Sequence, residues 1–159
     1  WIAPVSAFLL LQEPNPGASP AQGDTVKITT AHTFPPTEGF VQIYCAPDTV
    51  EGNGEVIGPK GSKRDRWNVP IVIPGDSPEL LEQVKAMMNE DVVIILEDST
   101  CPGGQLVQFG CKCAPTNVNE GSFTSSNTGA DDGRKGWSLT FQSYCKYFYN
   151  ATITEKPEA

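Results

Sequence analysis

A chain of 159 residues is long enough to bury a real core and is most simply one domain. A net charge of −8 excludes a general DNA-binding surface, which needs a basic face to neutralise phosphates. Fifteen glycines and fourteen prolines among short β-branched runs point to a β-rich α+β fold, a sandwich or rolled antiparallel sheet with one flanking helix.

Residues 1–24 read as an N-terminal arm and a Pro/Gly-rich linker. Trp1–Leu11 is apolar, and Pro14, Pro16, Gly17 and Pro20 follow it. The arm fits a first strand of its own sheet as well as it fits a segment packed on a neighbouring subunit. The second option makes Trp1 and Phe8 candidate inter-subunit contacts. Val5–Leu11 lacks the basic flank of a signal peptide, and no segment is apolar for long enough to span a bilayer.

Residues 25–154 are expected to form a single sandwich domain, with 155–159 as a loose tail. Thr25–Thr33 alternates apolar and polar residues and predicts a strand ended by Pro35-Pro36. Gly39–Cys45 predicts another. Asp48–Asn68 reads as loop and gathers Lys60, Lys63, Arg64 and Arg66. These cations are either a solvated loop or an inter-subunit contact in an otherwise acidic protein. Trp67–Ile73 resumes a strand, in which Pro70 marks an edge or a bulge.

Ser77–Asn89 is the clearest element, a helix. Leu80, Leu81, Val84, Met87 and Met88 share one side and are the expected helix–sheet core, covering the sheet of their own subunit. Pro78 suits the first turn, Ser77 or Asp76 the cap and Asn89 the stop. Val92–Leu96 is apolar on both faces and predicts a central strand. After a turn at 98–104, Gln105–Cys113 predicts the return strand of a hairpin, with Val107, Phe109, Cys111 and Cys113 on one face. Val118–Thr124 is a weaker polar strand. Ser125–Gly136 is a long loop whose Asp131 and Asp132 are further candidate contacts. Trp137–Asn150 is the longest strand pattern, aromatic on both faces in its second half.

Catalytic chemistry is poorly supplied, so the chain is not expected to be an enzyme. The one histidine, His32, lies on a predicted strand without a neighbouring partner for general base work. Five cysteines leave at least one unpaired within a monomer. They are expected to be mostly reduced and buried, with one or two disulfides as the alternative. Cys111-Lys112-Cys113 lacks the second ligand pair of a zinc site, and Asp131-Asp132-Gly133 lacks the spaced oxygens of a calcium loop. No metal or cofactor is therefore expected. Asn150-Ala151-Thr152 is a glycosylation sequon, relevant in a secreted eukaryotic protein.

The order of features from Phe40 to Thr154 resembles a family of small structural proteins of tailed bacteriophages of Bacteroidetes-type hosts. It runs from Pro74-Gly75 through the 77–89 helix, Asn89-Glu90-Asp91 and Val92–Ile95, then Leu106–Gly110 and Ala114-Pro115. An Asn127-Thr128-Gly129 loop follows, and Arg134-Lys135-Gly136-Trp137 opens the last long strand. That family is related in fold to tail tubes and type VI secretion tubes. The resemblance implies a virion protein, assembled in the host cytoplasm, whose copies form stacked rings, hexameric in that family. Its partners would be itself, other virion proteins and DNA passing through an acidic lumen that repels phosphates. Alternatives are a head–tail connector ring, and a secreted or surface disulfide-containing sandwich that acts as a binding module.

Overall fold

A computed structural model describes residues 1–46, 49–97, 104–124 and 135–157. These residues form a β-rich α+β fold of two sheets and, among the described residues, one α-helix. The five-stranded sheet runs in the order β1 (Ile2–Pro4), β5 (Val92–Glu97), β6 (Leu106–Phe109), β9 (Lys146–Tyr149), β2 (Lys27–Ile28). The four-stranded sheet runs β3 (Asn53–Ile57), β4 (Arg64–Pro74), β8 (Gly136–Ser143), β7 (Asn117–Thr124). Neighbours are antiparallel throughout, except for the short parallel pair β2–β9.

The period-2 alternation of strands sorts the side chains into two cores. In the first, Val69, Ile71 and Ile73 of β4 and Leu139 and Phe141 of β8 meet Val92, Ile94 and Phe109 of the other sheet. The second lies on the far side of the five-stranded sheet. There Val93, Ile95 and Tyr149 pack under Trp1, Phe8 and Phe34. The five-stranded sheet is thus a middle layer, which is why Val92–Ile95 is apolar on both faces.

The helix α1 spans Pro78–Met88, with Ser77 as its N-cap and Asn89 as its C-cap. The Ser77 hydroxyl accepts the Leu80 N–H at 3.2 Å, satisfying one of the amides a helix start leaves unpaired. Val84 is fully buried, and Leu80, Met87 and Met88 pack on the first core. Leu81 departs from the expected set: at the margin of the apolar stripe, it stays 36% exposed.

Four expected strands change shape. Thr25–Thr33 keeps ladder pairing only at Lys27–Ile28. Gly39–Cys45 makes isolated bridges instead of a strand. Phe40 N–H donates to Thr154 O, and Val41 exchanges backbone hydrogen bonds with Ile2, so the segment seals the edge beside β1. Gln105–Cys113 stops at Phe109, because Gly110 turns the backbone at φ 95°. A Cβ at Gly110 would lie 2.7 Å from Thr116 Oγ1, so no other residue fits. Cys113 consequently does not share the face of Val107 and Phe109 and is exposed.

Trp137–Asn150 is two strands in two sheets. The Ser143 hydroxyl donates to Cys145 O at 2.9 Å and accepts the Cys145 N–H at 3.2 Å. This local bonding replaces ladder pairing, and the chain changes sheets at Tyr144-Cys145. Pro70 lies in a strand flanked by β3 and β8, but β3 pairs β4 only from Arg64 to Asn68. At Pro70 the strand is therefore a local edge, where a missing N–H is tolerated. The tail is fastened as far as Lys156, which reaches Glu38 at 3.1 Å. The turn at 98–103 with Cys101, and the 125–134 segment with Asp131 and Asp132, lie outside the described residues.

Candidate functional site

The outer face of the four-stranded sheet is the surface that nothing else in the described chain covers. Since Trp67, Val69, Ile71 and Ile73 of β4 point inward, Asn68, Pro70 and Val72 point outward. On β8 the outward residues are Ser138, Thr140 and Gln142, and on β7 they include Glu120 and Ser122. This face is rich in hydroxyls and amides, and Glu120 carries the charge on its β7–β8 part. Both ends of the sheet, β3 and β7, lack a further strand among the described residues.

The basic segment flagged in the sequence is the tip of a β3–β4 hairpin, not a plain loop. Its signal was weak because Asn53-Gly54-Glu55 has low strand propensity. The last β4–β8 pair is Trp67–Ser143. Pairs Glu55–Arg66, Val56–Asp65 and Ile57–Arg64 lie beyond it, so the hairpin projects past the body of the sheet. At its base Gly54 lies flat on the Trp67 ring, where a Cβ would come within 2.5 Å of the indole. On the same ring, Lys146 Nζ sits 4.2 Å from the centroid, a cation–π contact.

The flagged cations have different surroundings. Arg66 Nε donates to Glu55 Oε1 at 2.6 Å. Arg64 lies over the Tyr144 ring at 4.7 Å. Lys60 and Lys63 are exposed in the turn, with no ion pair among the described residues. Trp1 and Phe8, the candidate contacts of the arm, pack within their own chain. The Trp1 indole donates to Glu155 Oε1 at 3.1 Å, and Phe8 packs on His32, Phe34 and Phe40.

His32 belongs to a buried network that the sequence did not reveal, since Gln108 and Gln12 reach it from distant elements. Gln108 Nε2 donates to Gly110 O at 3.0 Å, which turns its carbonyl oxygen toward His32 Nε2 at 2.8 Å. The Nε2 therefore carries the proton and donates. Nδ1 accepts the Gln12 backbone N–H at 3.0 Å, fastening the arm. Burial holds the imidazole below its ordinary pKa, against a smaller upward pull from the Gln108 bond. Every polar atom of the ring is occupied, so the site is structural in form and offers no free base.

Cys111 and Cys145 form a disulfide, with Cα atoms 6.1 Å apart, which is the disulfide alternative and not the expected mostly reduced set. The bond ties the turn after β6 to the residue where the chain changes sheets. Cys45 and Cys113 are free. Burial raises the Cys45 thiol pKa, which disfavours the nucleophilic thiolate. Cys45 lines a cavity of about 570 Å³ between the sheets, with Ile43, Val50, Ile71, Ile94 and Phe109. Beside these apolar walls its described lining also includes Trp1, Glu97 and Lys146.

Among the described residues, no group of three or more His, Cys, Asp or Glu side chains is placed to hold a metal. No described helix is long and apolar enough to cross a membrane. No family model matches the chain, and no curated protein or solved structure matches it either.

Proposed function

We propose that the protein is a virion structural protein, a tail tube subunit of a tailed bacteriophage, whose copies assemble into rings that stack as a DNA-conducting channel. The observation that carries this reading is the four-stranded sheet, whose outer face is polar and whose two edges are unpaired among the described residues. Open edges are templates for pairing with another chain, and a lone folded domain ordinarily blunts or covers them. Joining such edges copy to copy would place the hydroxyl-rich face on the channel wall. There Ser138, Thr140 and Ser122 are uncharged and a Glu120 from each copy adds repulsion, while Arg64 and Arg66, on the same face of β4, stand at the hairpin end, with Arg66 held by Glu55. Negative-stain electron microscopy and sedimentation of the purified chain test the proposal: rings or filaments are expected. A monodisperse monomer at high concentration overturns it. A connector ring of the same virion would use the same surfaces in an assembly that does not stack.

One observation favours a different reading, a secreted or surface binding module. The Cys111–Cys145 disulfide belongs to an oxidising compartment, and Asn150 of the sequon is exposed. Thiol titration of denatured, unreduced protein separates the two. Fewer than five thiols per chain supports the module, and all five removes its main argument.

A further inference from the structure

We infer that the projecting β3–β4 hairpin of one copy docks on the acidic surface that α1 presents beside β7 on the next copy. The contact rests on the ring reading above and names the surfaces that would join its subunits. Three observations lead to it.

First, the hairpin is incomplete by itself. A two-stranded ribbon is marginal in water, yet the pairs from Glu55–Arg66 to Ile57–Arg64 extend past β8, and Val56 is 65% exposed at their centre. A β-branched side chain in that position is unpartnered until another surface covers it.

Second, the two ends of the sheet differ in charge. Lys60 and Lys63 crown the hairpin, with Arg64 beside them, all exposed. At the other end, α1 lies along β7, with Met88 Cε close to Gly121. Glu79 and Glu82 of α1 and Glu90 and Asp91 just after it are exposed there, whereas Glu120 faces the opposite, outer side of β7; Lys85 is the one cation on the helix. Opposite charges at the two ends steer one end of a copy toward the far end of the next and disfavour like ends meeting.

Third, the patches are different surfaces at opposite ends of one sheet. Association through them is head to tail, the arrangement that closes into a ring when the rotation per copy allows it. A symmetric dimer would need one self-complementary patch instead.

Charge swapping tests the contact. Lys60→Glu with Lys63→Glu, and separately Glu79→Lys with Glu82→Lys, should each weaken assembly by roughly tenfold or more at low salt. Combining all four substitutions should restore assembly to near the wild-type level, which a merely damaged fold would not do. Val56→Ser should weaken assembly in a manner insensitive to salt. In assembled wild-type protein, the amides of 55–57 should exchange more slowly than in dissociated protein. Rings that persist unchanged in both double variants, or a quadruple variant that fails to recover, overturn the contact while leaving the ring reading in place. A wild-type chain that stays monomeric removes both.

Discussion

The two sheets have similar strands and opposite fates. The five-stranded sheet is covered on both faces, and an irregular segment closes its β1 margin, where Val41 bridges to Ile2; next to it Phe40 bridges to Glu155 on the outer layer. Among the described residues, the four-stranded sheet is buried on one face, bare on the other and open at β3 and β7. The difference lies in where the chain spends its loops. The arm, the 28–41 segment and the C-terminal tail all go to the middle layer, and only α1 is given to the outer sheet. The larger core joins the two sheets, while the outer sheet keeps the surfaces through which copies would meet.

The sharpest way to break the comparison is inside the shared core. Phe141→Ala, on the inward face of β8, should cost about 3–5 kcal/mol by urea denaturation. Thr140→Ala, its outward neighbour, should stay within about 0.5 kcal/mol. Similar costs for the two would mean that the outer face is not bare. Next comes the far side of the middle layer. Gln108→Ala removes the acceptor of the His32 Nε2–H and should cost about 1–3 kcal/mol, with the Phe8–Gln12 segment exchanging its amides faster.

Capping gives a smaller effect. Ser77→Ala should lose about 1 kcal/mol, since the Leu80 amide then lacks its acceptor. The loss should fall on α1 and the β7 side of the outer sheet. The gentlest perturbation is pH. The His32 pKa is depressed on folding, so the unfolded chain binds the extra proton first. Its contribution is fully present above about pH 6.5, the ordinary imidazole value, and is lost as pH falls through the depressed folded value. Protonated Nδ1 would face the Gln12 N–H it now accepts. An imidazole NMR titration should place the midpoint below that of a free histidine; an unshifted midpoint would show that the network does not hold the ring neutral.

What was legible in the sequence follows from how local its cause is. The helix, its Ser77 cap and its Asn89 stop depend on neighbouring residues, and all three could be read. So could Val92–Leu96, whose apolar run announces burial on both faces. The end of β8 could not, because it depends on a Ser143 hydroxyl bonding the backbone two residues on and on a cysteine partner 34 positions away. Aromatic residues at 147–149 pointed to burial or a subunit interface without revealing that the strand had changed sheets; of the three, Tyr149 is buried and Tyr147 and Phe148 are half-buried. At the candidate site, the cluster of Lys60, Lys63, Arg64 and Arg66 was visible as charge. Its geometry was not, since β3 is held by Gly54 lying flat against Trp67, a fit between residues of different strands.

The passage from β8 to β9 has a mechanical meaning. A pull applied to the outer sheet would travel along β8 and arrive in the middle layer through Tyr144 and Cys145. Cys145 is also bonded to Cys111, so the load is divided between β9 and the turn that follows β6 before either strand can peel away. The crosslink acts less as a staple of the core than as a cleat where one rope passes between two decks.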